Sequence, residues 1–232
     1  MTVDKIAIVT GASGNLGQAV VKRFLSEGYR VIGVVPENDP VQINISNTAF
    51  EKTALDLLNE EDSQQFVASV IQKHGKIDVA VLTVGGFAMG NIRETGTKDI
   101  MHQYKLNFET AYNVARPCFA QMLLQTSGRI FFVGSRPGLS AEYGKGMVAY
   151  GLAKSLLMRL AELMNNEAMG INVVSAVVIP STIDTAQNRK TMPGSDPRKW
   201  VRAEAIADII YFYCTDTASA IRQPLLHMYN NA

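Results

Sequence analysis

Apolar and polar positions along this chain follow two rhythms that take turns. Residues 5–10 carry an unbroken run of Ile6, Ala7, Ile8 and Val9, the pattern of a strand buried on both faces. Residues 14–27 place Leu16, Ala19, Val20 and Phe24 at helical spacing, with Gly28 as the stop. Residues 30–35 predict a second strand. Residues 36–47 are polar with two prolines and predict a loop instead of a helix. A short strand is expected over 53–58, a helix over 60–74 ending at Gly75, and a strand over 77–84. A long helix follows over 97–125, with a kink expected at Pro117, then a strand over 129–133. A second long helix spans 146–169, and Pro180 stops the apolar strand at 171–179. A helix over 201–214 and a strand over 224–229 complete the pattern. Strands alternating with helices predict an α/β fold with a parallel sheet, helices on both faces and right-handed crossovers. No shift of composition marks a linker, so residues 1–232 read as a single doubly wound domain. Ligands of such sheets bind beyond the carboxyl ends of the strands, which is where functional residues are sought.

Composition narrows the function. Apolar residues make up 47% of the chain and charged residues 19%, enough for a packed core. The net charge of +1 comes without a basic stripe, so no nucleic-acid partner is expected. No apolar run approaches ~18 residues, which excludes a membrane-spanning helix. Residues 1–5 lead straight into the first strand, leaving no room for a signal peptide. Cys118 and Cys214 match no metal or redox spacing, and free thiols in a cytoplasmic protein account for them. His74, His102 and His227 are scattered, so no metal site is expected. The ten methionines read as core filler, with pocket lining as the alternative for Met147, Met158, Met164 and Met192.

The first strand runs directly into Thr10-Gly11-Ala12-Ser13-Gly14-Asn15-Leu16-Gly17. Glycines at this spacing let the backbone turn tightly and let a pyrophosphate approach the helix N-terminus. Strand before and helix after make a dinucleotide site the favoured reading of Gly11, Ser13, Gly14, Asn15, Leu16 and Gly17. Glu37, beyond the second strand, is the candidate for the ribose 2′-hydroxyl, with a solvated loop carboxylate as the alternative. No Arg or Lys stands in the glycine turn or just after the second strand to meet a 2′-phosphate. NAD is therefore slightly favoured over NADP.

Tyr150 and Lys154 are four apart near the start of a long helix and share one face. An ammonium beside a phenol is expected to lower the phenol pKa from ~10, giving an acid/base group usable near neutral pH. Ser135, at the end of the preceding strand, is expected to face the same crevice. Asn107, a poor helix former within the long helix, either is solvated or bends the helix towards an active-site water.

Taken together and in this order, these residues resemble the short-chain dehydrogenase/reductase family, over nearly the whole chain from Ile6 to about Tyr229. The resemblance rests on the Thr10–Gly17 turn, Asp56, Thr83-Val84-Gly85-Gly86, Asn107, Ser135, Tyr150 with Lys154, and Pro180-Ser181-Thr182 with Thr185. It implies a Rossmann-type sheet of about seven strands. It implies Tyr150 as acid/base, with Lys154 lowering its pKa and holding the nicotinamide ribose. Ser135 would orient the substrate carbonyl, and Asn107 would hold a relay water. Asp56 would touch the adenine, Gly85 and Gly86 the nucleotide, and Pro180, Ile183 and Thr185 the nicotinamide end. Residues 84–91 and 182–193, with Trp200 following, look like the dihydropteridine reductase branch. Ser135 departs from that branch, which lacks the active-site serine, and no clear aspartate ends the second strand. The glycine spacing is that of the extended epimerase branch, but only about 50 residues follow Pro180, too few for its substrate domain.

The expected activity is an NAD(P)-dependent reduction of a small carbonyl or quinonoid imine. The alternative is a non-catalytic dinucleotide-binding regulator, which need not keep Ser135, Tyr150 and Lys154. The helix at 146–169 is apolar nearly all round, which predicts a partner subunit and a homodimer or homotetramer. Arg189 and Lys190 read as a solvated pair on a lid, with an acidic substrate as the alternative partner.

Overall fold

Side chains of the first strand, β1 (Ile6–Thr10), point alternately into two cores, and this is why its run is apolar throughout. Ile6 and Ile8 join one buried cluster, while Ala7 and Val9 join the other. A computed structural model of the protein describes residues 5–41, 43 and 45–230. Residues 1–4, on which the expectation of no leader was based, lie outside them.

From β1 the chain passes through α1 (Asn15–Ser26), β2 (Arg30–Val35), β3 (Phe50–Ala54), α2 (Glu60–His74) and β4 (Val79–Leu82). α3 (Thr97–Tyr104) and α4 (Thr110–Leu124) follow, then β5 (Ser127–Val133), the single turn α5 (Arg136–Leu139), α6 (Val148–Glu167) and β6 (Asn172–Pro180). The chain closes with β7 (Ile183–Asp184), α7 (Ala186–Thr191), β8 (Val201–Arg202), α8 (Ala203–Phe212) and β9 (Leu225–Met228). The main sheet has seven strands in the order β3-β2-β1-β4-β5-β6-β9, and all its ladders are parallel. Val20, Val21 and Phe24 of α1 and Ile206 and Ile210 of α8 fill the core on one face. Val67 of α2, Val114 of α4 and Leu157 of α6 fill the other. β7 and β8 form a small separate sheet next to α7.

β1 pairs with β2 on one side and β4 on the other. The strand order therefore reverses between β1 and β4, and a crevice opens beyond their carboxyl ends. Two threonines fasten that point: Thr83 Oγ1 donates to the Thr10 carbonyl at 2.7 Å, and Thr83 N–H donates to Thr10 Oγ1 at 3.2 Å.

Three expectations need correction. β3 occupies Phe50–Ala54, not 53–58. Residues 55–58 instead lead into the cap of α2, where Asn59 accepts from the N–H groups of Glu61 and Asp62. The long helix is not continuous: a π turn at Lys105–Glu109 separates α3 from α4, while α4 runs on through Pro117. The last helix begins at Ala203, because Val201 and Arg202 are drawn into pairing with β7.

Among the described residues, no helix is long and apolar enough to cross a membrane, and no group of three His, Cys, Asp or Glu gathers to hold a metal. Both cysteines are free thiols. Met158 and Met164 are core residues, while Met147 and Met192 line the crevice.

Candidate functional site

The turn after β1 is built by close approach. Gly11 has φ +64°, in the left-handed region, and a Cβ there would meet Thr83 Oγ1 at 2.8 Å. A Cβ on Gly17 would run into the carbonyl oxygen of Gly11. The turn closes with Gly14 N–H donating to the Gly11 carbonyl at 2.9 Å. Gly14 caps α1 without a side-chain partner, and the first turn of α1 has no acidic residue. The N–H groups and positive dipole end of α1 are thus left for an anion.

A crevice of about 680 Å³ runs from this helix end across the tips of β4, β5 and β6. Leu16 lines it on the glycine-turn side, and Gly85 and Gly86 line it after β4. Ser135, Tyr150 and Lys154 line it from β5 and α6, and Pro180, Ile183 and Thr185 from the segment after β6. The structure thus brings together at one cavity residues that lie far apart in the chain.

Asn107 lies beneath the crevice instead of on its wall. It is fully buried within the π turn. Its Oδ1 accepts from Gly86 N–H at 3.1 Å, and its Nδ2 donates to the Gly86 carbonyl at 3.0 Å. Nδ2 also faces the backbone and side-chain oxygens of Gln103, at 3.2 and 2.9 Å. Asn107 Oδ1 and Lys154 Nζ both come within 3.0 Å of the position a Gly85 Cβ would take, so only glycine lets them approach. Gln103 was missed from sequence. Its signal was a polar residue one helical turn before an asparagine in an otherwise regular helix.

Lys154 is buried, and Nζ donates to the Val133 carbonyl at 2.7 Å. Burial pulls its pKa down to about 8. Tyr150 differs from expectation. Burial pushes its phenol above the ordinary value, opposed only in part by a hydrogen bond with Ser135. The Lys154 ammonium donates to Val133 and lies 6.0 Å from the centre of the Tyr150 ring. The Ser135 hydroxyl also caps α5, accepting from Gly138 N–H at 3.3 Å.

Of the glycine-turn candidates only Leu16 lines the crevice, and Gly11, Ser13, Gly14, Asn15 and Gly17 do not; Glu37 and Asp56 also stand outside it. Glu37 is an exposed loop residue and does not line the crevice. Asp39, overlooked in the sequence, reaches the glycine turn instead. A hydrogen bond from Ser13 and the Val41 N–H at 2.9 Å hold its carboxyl below the usual carboxylate range. The Asp39-Pro40 pair was its signal, since such pairs favour turns that fold a carboxylate back on the chain. Asp56 is exposed, accepts from Leu58 N–H at 2.9 Å and likewise does not line the crevice. On the lid, Arg189 and Lys190 are both exposed, as expected of a solvated pair, and Arg189 also reaches both oxygens of Asp184, at 2.7 and 2.8 Å.

Comparison with known proteins adds a family to this geometry. The family model described as short chain dehydrogenase matches residues 5–196. An acetoacetyl-CoA reductase of Acinetobacter sp. (strain RA3849) is 27% identical over 187 residues, covering 78% of this chain and 75% of that protein. A dihydropteridine reductase of Dictyostelium discoideum is 26% identical over 220 residues, covering 94% and 90%. The solved structure of ElxO with NADP bound superposes with a TM-score of 0.88 over 97% of both chains, at 21% identity.

Proposed function

This chain belongs to the short-chain dehydrogenase family and is an NAD(P)-dependent oxidoreductase; from that premise we propose that it reduces a small carbonyl or quinonoid imine compound of the dihydropteridine type, with Tyr150 as the proton donor. The glycine turn fits a dinucleotide, since an added Cβ at Gly11 or Gly17 would meet protein atoms and the α1 N-terminus has no side-chain cap. Gly11, Ser13, Gly14, Asn15, Leu16 and Gly17 would hold the pyrophosphate, and Gly85, Gly86, Lys154, Pro180, Ile183 and Thr185 the nicotinamide half. A nicotinamide bound there supplies the hydride.

The observation that carries the reading is the convergence of Ser135, Tyr150 and Lys154 on one crevice. A phenol whose pKa is raised by burial keeps its proton at neutral pH, which suits a donor in the reducing direction. As negative charge grows on the substrate oxygen or nitrogen, Tyr150 gives up its proton, and the Ser135 hydroxyl steadies the resulting phenolate. Lys154 adds positive charge nearby while it remains protonated. Asn107 keeps the Gly85–Gly86 backbone in place, and a relay water beside it belongs to the same proposal.

Phenylalanine at position 150 removes the donor and leaves the ring. Turnover should fall ~100- to 10,000-fold while NADH or NADPH still binds. Near-normal turnover would remove Tyr150 from the mechanism.

NAD is the preferred cofactor in this reading, with Asp39 in place of Glu37. A carboxylate hydrogen-bonded to the glycine turn would accept a ribose hydroxyl and repel a 2′-phosphate. NADPH binding at least tenfold tighter than NADH, measured by fluorescence titration, would overturn the preference. The dihydropteridine-type substrate draws support from the relative in Dictyostelium discoideum and from residues 84–91 and 182–193.

A further inference from the structure

Phe87 is 62% exposed, yet its ring stands only 5.2 Å from the Tyr150 ring, at 75°, and lines the crevice. Its exposure does not come from a loose loop. One residue before it, Gly86 is held at both backbone groups by Asn107. Three residues after it, Gly90 N–H donates to the Gly146 carbonyl at 2.8 Å, and Val148 N–H donates to the Gly90 carbonyl at 3.0 Å. The loop is therefore pinned on both sides of an aromatic side chain left open to solvent. An apolar ring fixed at the mouth of a cavity is a surface for an occupant of that cavity to cover.

The occupant's chemistry follows from the geometry. The two rings meet edge to face, so a molecule that reaches the phenol from the crevice lays the atoms beside its reacting group against Phe87. The Met147 and Met192 thioethers also line the crevice and are polarizable partners for a flat ring. Aromatic contacts add affinity beyond the area they bury, and a prefixed ring loses little freedom on binding.

We propose that the substrate carries its reducible group directly on a flat aromatic or conjugated ring, and that this ring packs on Phe87, which makes Phe87 a specificity-determining residue. This rests on the oxidoreductase reading above and specifies its substrate class.

The test uses two diketones, 1-phenylpropane-1,2-dione and 1-cyclohexylpropane-1,2-dione, one with a flat and one with a puckered ring; because the phenyl ring is conjugated with its carbonyl, the quantity read is the change in their kcat/KM ratio on substitution of Phe87. F87A should lower the phenyl-to-cyclohexyl ratio of kcat/KM about tenfold relative to wild type. F87W should keep the wild-type ratio. A ratio that F87A leaves intact overturns the proposal.

A second measurement does not depend on turnover. The indole of F87W stands at the crevice mouth; buried Trp200 emits as well, so the signal read is the difference between F87W and wild type titrated in parallel. The NAD-loaded F87W variant is titrated with each diketone. Saturable quenching about tenfold tighter for the phenyl compound supports the ring platform even if neither diketone is reduced. That combination would count against the carbonyl substrate proposed above, with these diketones as its examples, and not against the ring platform. Equal or absent quenching by the two overturns the platform whatever the activity.

Discussion

Lys154 and Tyr150 show how much of a residue's chemistry is set outside its own stretch of chain. Their spacing of four is visible in the sequence, because helical periodicity puts such residues on one face. Their titration is not visible, because it is set by β5 and α5 closing over them. With its pKa lowered to about 8, Lys154 binds a proton less readily folded than unfolded. Between about pH 8 and 10 the unfolded chain therefore holds more proton at this position, and stability from this group rises with pH. K154M lacks the group, so its stability advantage over wild type should shrink across that window, by roughly 3 kcal/mol in all. Urea unfolding of both proteins at pH 7.5 and pH 10 measures this. A constant difference would mean that Lys154 titrates at its ordinary value. Asp39 teaches the same lesson as Lys154. Glu37 is closer to the strand end in sequence, but the turn closed by Asp39 N–H on the Pro36 carbonyl precedes the carboxylate that meets Ser13.

Among the elements, helices and buried strands were legible because their apolar periods are strong. The exceptions have physical causes. β3 lies at the edge of the sheet with three residues partly covered, two exposed and none fully buried, so its pattern fixes its position weakly. Leu55 and Leu57 drew the prediction downstream, yet they pack into the core from the segment after the strand. The π turn at Lys105–Glu109 preserves apolar spacing on both sides and so reads as one helix, with Asn107 as the only mark. That asparagine is worth more to the loop after β4 than to its own helix. N107L would leave Gly86 N–H and C=O without their partner, and should cost about 1–3 kcal/mol of stability on denaturant unfolding. An unchanged midpoint would show that the loop holds itself.

For the whole molecule, the parallel sheet and a crevice beyond its carboxyl ends were legible in the alternation of strand and helix, while the number of strands came from the family resemblance and their order from the structure alone. The outer surface carries a separate clue. Leu152, Leu156 and Leu163 of α6 are 51%, 38% and 54% exposed and fall on one helical stripe, while Leu157 and Met164 face the core. A second copy of this chain covering that stripe accounts for its composition. Light scattering at micromolar concentration should therefore give a dimer or tetramer, and L152E/L156E should shift it to monomer. A monomeric wild type refutes the pairing.

The two threonines that fasten β1 to β4 have a consequence for how the protein is made. A chain leaving the ribosome offers Thr10 and the glycine turn early, but their clasp waits for Thr83, and Ser135, Tyr150 and Lys154 emerge later still. The nucleotide grip is thus a product of distant pairing, and the clasp on Thr10 forms only after Thr83, more than seventy residues on, has been made.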